Sequence, residues 1–236
     1  MMSGSFRPGL ALTYVTVMAF SVLLALGTWQ AKKIAPKNQL VASIEAGLAA
    51  EPVVLPVHLD DPAAVAYRRF SFEGIASQRA PVKVFGTNLE GKAGFHLYKP
   101  VARDFGRAVI VNFGWVPFEL DVMPRLPVGP VSIQGVLMAN PVAGSFTLEN
   151  DPENGNWYFA DVHELAVHFG LGSKDYYHFR LFADHSGGPR ALPKGSQVRV
   201  NIPNNHFQYM LTWYGIAGAL LGVYLVFGYK KNGEDD

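Results

Sequence analysis

Charged and apolar positions are distributed unevenly along the chain. From Pro8 to Ala31 no residue carries a charge, and Leu10 to Trp29 is an almost unbroken apolar run. Wound as a helix it extends about 30 Å, the hydrocarbon thickness of one bilayer. A secretory signal has an apolar stretch of only about 7 to 15 residues before a small-residue cleavage site. The present run is longer, and Trp29 stands where an interfacial belt residue belongs, so an uncleaved anchor is expected. A second stretch, Val200 to Tyr229, lacks Lys, Arg, Asp and Glu; its apolar part starts near Phe207 and stops before Lys230 and Lys231. The pattern predicts an N-terminal tail (1–9), a transmembrane helix (10–29), an extramembrane domain (30–203), a second transmembrane helix (204–229) and a tail (230–236). Two spans place both tails on one side. The flanking cations do not choose that side, because Lys32, Lys33, Lys37, Lys194 and Arg199 compete with Arg7, Lys230 and Lys231, and a long loop is translocated largely regardless of its charge.

Inside the domain the period changes. Leu40, Ile44 and Leu48 recur at helical spacing, predicting a short amphipathic helix over Asn38 to Ala50. Short runs bounded by Gly, Pro, Asn and Asp follow, predicting strands over Tyr67–Glu73, Val82–Phe85, Phe95–Val101, Ala108–Phe113, Val131–Met138, Tyr177–Phe182 and Gln197–Ile202. One helix interrupts them, Val162 to Phe169, with Asp161 as its cap. The expected fold is two transmembrane helices flanking one mostly β, α+β domain, a small barrel or sandwich.

Composition narrows the chemistry. Apolar residues make up 49% of the 236, a globular share, so most of the chain folds in water. The net charge is +1 with cations scattered, which excludes a nucleic-acid footprint. With no Cys, disulfides, thiolate metal sites and covalent haem attachment are all excluded. His163 and His168 are five apart, about 140° around a helix, and so miss the four-residue spacing of a zinc-protease helix. Asp184-His185-Ser186 has triad letters, but adjacent residues cannot form a nucleophile–base–orienter chain, and it reads as a turn into Gly187-Gly188-Pro189. No Walker loop and no G-x-G-x-x-G after a strand is present. His58, His96 and His178 read as surface or hydrogen-bonded histidines. No catalytic constellation emerges, and no enzyme is expected.

His206 differs, because it opens the second span. Asn204 or Asn205, after Pro203, can cap the helix, placing His206, Tyr209, Met210 and Trp213 on one face. An ionisable group at a membrane boundary is a site hypothesis; the alternative is an interfacial His with Tyr209 and Trp213 as ordinary belt residues. Lower down, Gly215, Gly218 and Gly222 either pack against the first span or open a groove for an apolar ligand tail.

These blocks resemble the surfeit locus protein 1 family, assembly factors of haem-copper cytochrome c oxidase. The resemblance rests on Leu26-Gly27-Thr28-Trp29-Gln30 with Lys37; Tyr67-Arg68-Arg69 with Gly74; Val111-Asn112-Phe113-Gly114-Trp115-Val116-Pro117; Asn156-Trp157-Tyr158 with Asp161; and Asn204-Asn205-His206 with Gln208, Tyr209 and Trp213. Five blocks in order cover almost the whole chain. Phe113 and Lys33 stand where the family usually has Arg, so a propionate clamp built on either Arg is not carried over.

The resemblance implies a bacterial cytoplasmic membrane protein, or a mitochondrial inner membrane one, with the domain in the periplasm or intermembrane space. No cleavable transit segment is visible, so the bacterial membrane is expected. It also implies handling or insertion of haem a into the oxidase core subunit, the partner besides membrane lipid. His206 is then the axial metal ligand, Tyr209 and Trp213 are its aromatic neighbours, and Arg199 with Lys194, Lys32 and Lys33 supplies cations for the propionates. An accessory or scaffold subunit that holds the oxidase without touching haem, and a membrane-bound enzyme, are the competing classes.

Overall fold

The computed structural model describes residues 4–231 except 104–105, 186–187, 189, 199 and 201–203. In chain order the elements are β1 (Gly4–Phe6), α1 (Leu10–Ala49), β2 (Val53–Val54), β3 (Arg69–Ala76), β4 (Val82–Thr87), β5 (Ala93–Ala102), β6 (Ala108–Pro117), β7 (Gly129–Ala139), α2 (Val162–His168), β8 (Tyr176–Ala183), α3 (His206–Gly228) and β9 (Tyr229–Lys231). They form two compact units, Met1–Ser43 with Asn201–Asp236, and Ile44–Val200. Two helices, α1 and α3, are long and apolar enough to cross a membrane, and they flank a mostly β domain.

The helices of the first unit pack antiparallel. In α1 the turned-in positions are Thr13, Thr16, Phe20, Leu23, Gly27 and Gln30; in α3 they are His206, Met210, Trp213, Ala217, Leu220 and Tyr224. Both series alternate steps of three and four, the 3.5-residue period of a left-handed helix pair. Gly27 permits the closest approach, since a Cβ there would lie 2.5 Å from a Tyr214 ring carbon. The Tyr214 hydroxyl lies 3.1 Å from Thr28 Oγ1, and the Tyr224 hydroxyl 3.0 Å from Thr13 Oγ1. Beyond them β1 and β9 pair antiparallel, Gly4 with Lys231 through Phe6 with Tyr229.

One expectation fails here. The span and the amphipathic segment after it are a single helix of 40 residues, with Pro36 inside. Lys32, Lys33 and Lys37 end the uncharged run but not the helical hydrogen bonding, and Pro36 removes only one donor. The inward face of the last turns also differs from the expected one: Ile44 is buried, but Leu40 is 46% exposed.

In the second unit, strands β3-β7-β8-β6-β5 pair in sequence and β5 returns to β3 through Ile75↔Ala102 and Ala76↔Val101. The sheet therefore closes into a barrel, with β4 added outside β5 and β2 parallel to β3. All neighbouring pairs within the barrel are antiparallel except β6–β8. That parallel pair requires a crossover, and α2 lies in the connection. Alternation sends Phe70, Phe72, Val101, Val109, Val111, Phe113, Leu137, Phe179 and Leu181 to one core cluster. Tyr98, Ile110 and Tyr176 from the opposite strand faces join Trp157 and α2's Val162, Leu165 and Ala166 in a second. Strand β6 is thus buried on both sides, which explains a run that is apolar except for Asn112.

Asp161 caps α2 as expected, accepting from the His163 and Glu164 amides. Six expected strands form, each within a few residues of its expected bounds. The seventh, Gln197–Ile202, does not: Gln197, Val198 and Val200 are irregular, and the rest lie outside the described residues. Lys194 makes one bridge to Trp115, then Gly195 and Ser196, at φ 55°, turn the chain away.

Candidate functional site at the mouth of the helix pair

His206 is the first residue of α3. Asn205 holds the cap position at φ −89°, ψ 7°; its backbone carbonyl accepts from the Tyr209 amide at 3.1 Å, but its side chain makes no cap bond. Asn204 does not cap either; its Nδ2 donates to Asn38 Oδ1 at 2.7 Å. The expected Asn cap is therefore absent, and the first turn is left open beside His206.

The imidazole is oriented from α1. Its Nδ1 lies 2.7 Å from Gln30 Oε1, which can only accept, so Nδ1 is the donor of this bond and Nε2 is the nitrogen that Gln30 does not engage. Gln30 itself is buried. No hydrogen-bond partner for Nε2 is found among the described residues. Two further polar atoms of this unit, Asn204 Oδ1 and Trp213 Nε1, are buried without a partner among the described residues. Such atoms are costly in an apolar medium and concentrate at functional places.

Of the residues expected on one face, His206, Met210 and Trp213 belong to the inward stripe, while Tyr209 is 53% exposed. Arg199 lies outside the described residues. Lys32 and Lys33 are exposed, Lys33 Nζ standing 6.0 Å from the Trp29 ring. In the sequence Gln30 stands within the Leu26–Gln30 block with no role implied for it, and its one signal is an amide beside an apolar helix stretch. Gly215, Gly218 and Gly222 do not pack on the first span, as a Cβ at any of them would meet nothing within 4 Å. They lie off the inward stripe, and Gly27 of α1 makes the close approach instead.

Four of the domain's histidines, His96, His163, His168 and His185, are engaged locally. His163 Nδ1 lies 2.7 Å from the Tyr176 hydroxyl, and His168 is edge-on to Trp157. His185 Nδ1 accepts from the Gly195 amide while its Nε2 faces Gly188 O at 2.9 Å. Asp184 pairs with Arg69 at 2.5 Å. His96 is held between the Thr87 carbonyl and the Asn112 amide, and burial holds its pKa below the usual histidine value. Asn112 also reaches the Tyr98 hydroxyl and accepts from the Gly114 amide. Phe113, where the resemblance suggests Arg, is packed in the first core cluster. Among the described residues, no group of three or more carboxylates and imidazoles is placed to hold a metal ion.

The geometry thus singles out one oriented imidazole at the entrance of an apolar helix pair. A family model described as SURF1 family matches residues 17–218, which include the barrel, most of α1 and the first part of α3. The chain belongs to the SURF1 family. Among its SURF1 relatives, a SURF1-like protein of Monosiga brevicollis is 28% identical over 243 residues, covering 95% of this chain and 88% of that one. Surfeit locus protein 1 of Mus musculus is 29% identical over 217 residues, covering 82% and 68% respectively. A SURF1-like protein of Rickettsia felis is 25% identical over 222 residues, covering 92% and 96%. SURF1 relatives therefore occur in bacteria and in mammals.

Proposed function

We propose that this SURF1 family member is an assembly factor for haem-copper cytochrome c oxidase that holds haem a for delivery to the core subunit, with His206 as iron ligand. The observation that carries the reading is the Nδ1–Gln30 hydrogen bond, which fixes the ring through one nitrogen and leaves Nε2 for a ligand. Imidazoles that ligate metal characteristically use one nitrogen and are fixed through the other by a carbonyl or carboxylate. The residues fit the group: Phe207 and Tyr209 offer exposed aromatic surface beside the imidazole, and Lys32 and Lys33 supply cations for propionates. Haem a supplies redox-active iron to the oxidase that receives it; this chain binds and orients, and is not an enzyme. We place the chain in the bacterial cytoplasmic membrane, with both tails cytoplasmic and the barrel in the periplasm. The open Gly215, Gly218 and Gly222 face of α3 supports contact with a helix of the oxidase core subunit.

The test is the absorbance spectrum of protein purified from a haem a-producing host. His206→Ala is expected to remove the haem band, and Gln30→Leu to lower occupancy several-fold by freeing the ring, while His58→Ala, an exposed position, leaves the spectrum unchanged. Unaltered spectrum and occupancy in His206→Ala would refute the ligand assignment. A parent that never carries haem yet co-purifies with the core subunit would make it a scaffold subunit.

A further inference from the structure

The barrel carries an apolar tip that its own fold does not use. Between Asn140 and Asn150 the chain leaves the end of β7 and returns to α2, exposing Phe146 at 99%, Val142 at 92% and Leu148 at 64%. Both feet of this loop are fastened. Asn140 donates to Asp161 Oδ2 and accepts from the Val162 amide. Asn150 accepts from the Tyr158 and Phe159 amides and donates to the Phe159 carbonyl and to Glu164 Oε2. At the tip the Thr147 amide bonds Gly144 O at 3.0 Å while Thr147 Oγ1 accepts from the Gly144 amide at 2.8 Å. This closes a four-residue turn with Phe146 at its third position. An aromatic held out by a doubly fastened turn is a displayed side chain, and exposed apolar clusters of this kind mark contact surfaces.

The charge around the tip selects the occupant. A groove of about 540 Å³ runs beneath the loop, with Leu148, Glu149, Asn150, Asp161 and Glu164 in its wall. From Leu126 to Ser173 the chain has Glu149, Asp151, Glu153, Asp161 and Glu164 and not one Lys or Arg, although the whole protein is at +1. Arg180 reaches the Ala139 carbonyl and Arg79 lies beside Gly170, but Glu149, Glu153 and Glu164 are exposed, and these carboxylates disfavour an anionic membrane surface and attract cations within a Debye length of about 10 Å. We propose that loop 140–150 is a docking element for a basic, apolar segment of a partner protein, Phe146 and Val142 taking its apolar side chains and the carboxylates its Lys or Arg. The proposal stands apart from haem binding, since none of its residues belongs to the helix pair.

The test uses the full-length protein in its native membrane with p-benzoylphenylalanine in place of Phe146. Irradiation followed by peptide mapping is expected to give one adduct, on a segment with net positive charge and apolar residues. The adduct yield should fall at least about tenfold in Glu149→Lys/Glu153→Lys, two exposed carboxylates that do not fasten the loop, and severalfold in 0.5 M salt. A melting curve of the soluble-domain signal in the full-length variant verifies that the fold is kept; should that pair fail to fold, Val142→Ser is read instead. Adducts only to lipid, only to a second copy of this chain or to a neutral or acidic segment would each overturn the proposal, as would no adduct or one indifferent to charge reversal.

Discussion

Strand β6 and helix α3 are both almost wholly apolar, yet nine of the ten β6 residues are buried whereas the fully buried residues of α3 are Ala217 and Gly228. The same composition thus serves opposite ends. In β6 it fills the protein's interior from both sides, and an interior polar group such as Asn112 is matched by His96, Tyr98 and the Gly114 amide. In α3 it meets surroundings that are not protein, with one inward stripe. Polar groups on that stripe, Trp213 Nε1 among them, keep unused valence. Apolarity by itself says nothing of role; whether the buried polar atoms beside it are satisfied does.

Truncation should separate the two most sharply. Ile110→Ala in β6, at 0% exposure, is expected to cost on the order of 2–5 kcal/mol of domain stability through the cavity it leaves. Ile216→Ala in α3, at 46% exposure, should change stability by less than about 0.5 kcal/mol. Denaturant titration of the full-length protein in detergent measures both, and equal losses would break the contrast. Next in size, Gly27→Ala forces the Tyr214 ring aside and should weaken the helix pair by about 1–3 kcal/mol, whereas Gly218→Ala should leave it intact. Because the chain has no Cys, the distance between spin labels on Thr13→Cys and Tyr224→Cys reports the pairing without background; a change in the Gly218 variant instead of the Gly27 variant would reverse the assignment of faces.

The smallest effect concerns pH. Burial depresses the His96 pKa in the fold, so the unfolded chain takes up the proton first as pH falls through the ordinary histidine value of about 6.5. The stability that neutral His96 contributes is complete above that value and is lost as pH falls toward its folded pKa. The barrel's melting temperature should therefore drop between pH 7 and pH 5, and less so in His96→Gln. An identical drop in that variant would remove His96 from the account.

Much of the architecture was legible because it follows from period and charge. The spans show as uncharged runs, the barrel strands as short β-rich runs between turn residues, and α2 as a stripe behind Asp161. Closure of the sheet was left open between barrel and sandwich, since two residue pairs between β3 and β5 decide it and nothing local announces them. The continuity of α1 was hidden by Pro36 and three lysines, which resemble stop signals although the backbone bonds carry on. Strand β2, two residues long, is below any periodic signal. At the candidate site His206 was readable from its motif and place, but its orientation was not. Gln30 lies 176 residues upstream, and only the 3.5-residue pairing of two helices brings it opposite.

That separation gives the site a place in biosynthetic time. Gln30 and His206 are 176 residues apart, and synthesis proceeds at about 5–20 residues per second. The amide that fixes the imidazole is therefore made roughly 9 to 35 seconds before the ring it holds. By then the whole barrel has been translated, so a chain stopped short of α3 has Gln30 with no imidazole to hold. Only a chain that has passed through its folding domain and inserted its last helix brings the two halves together.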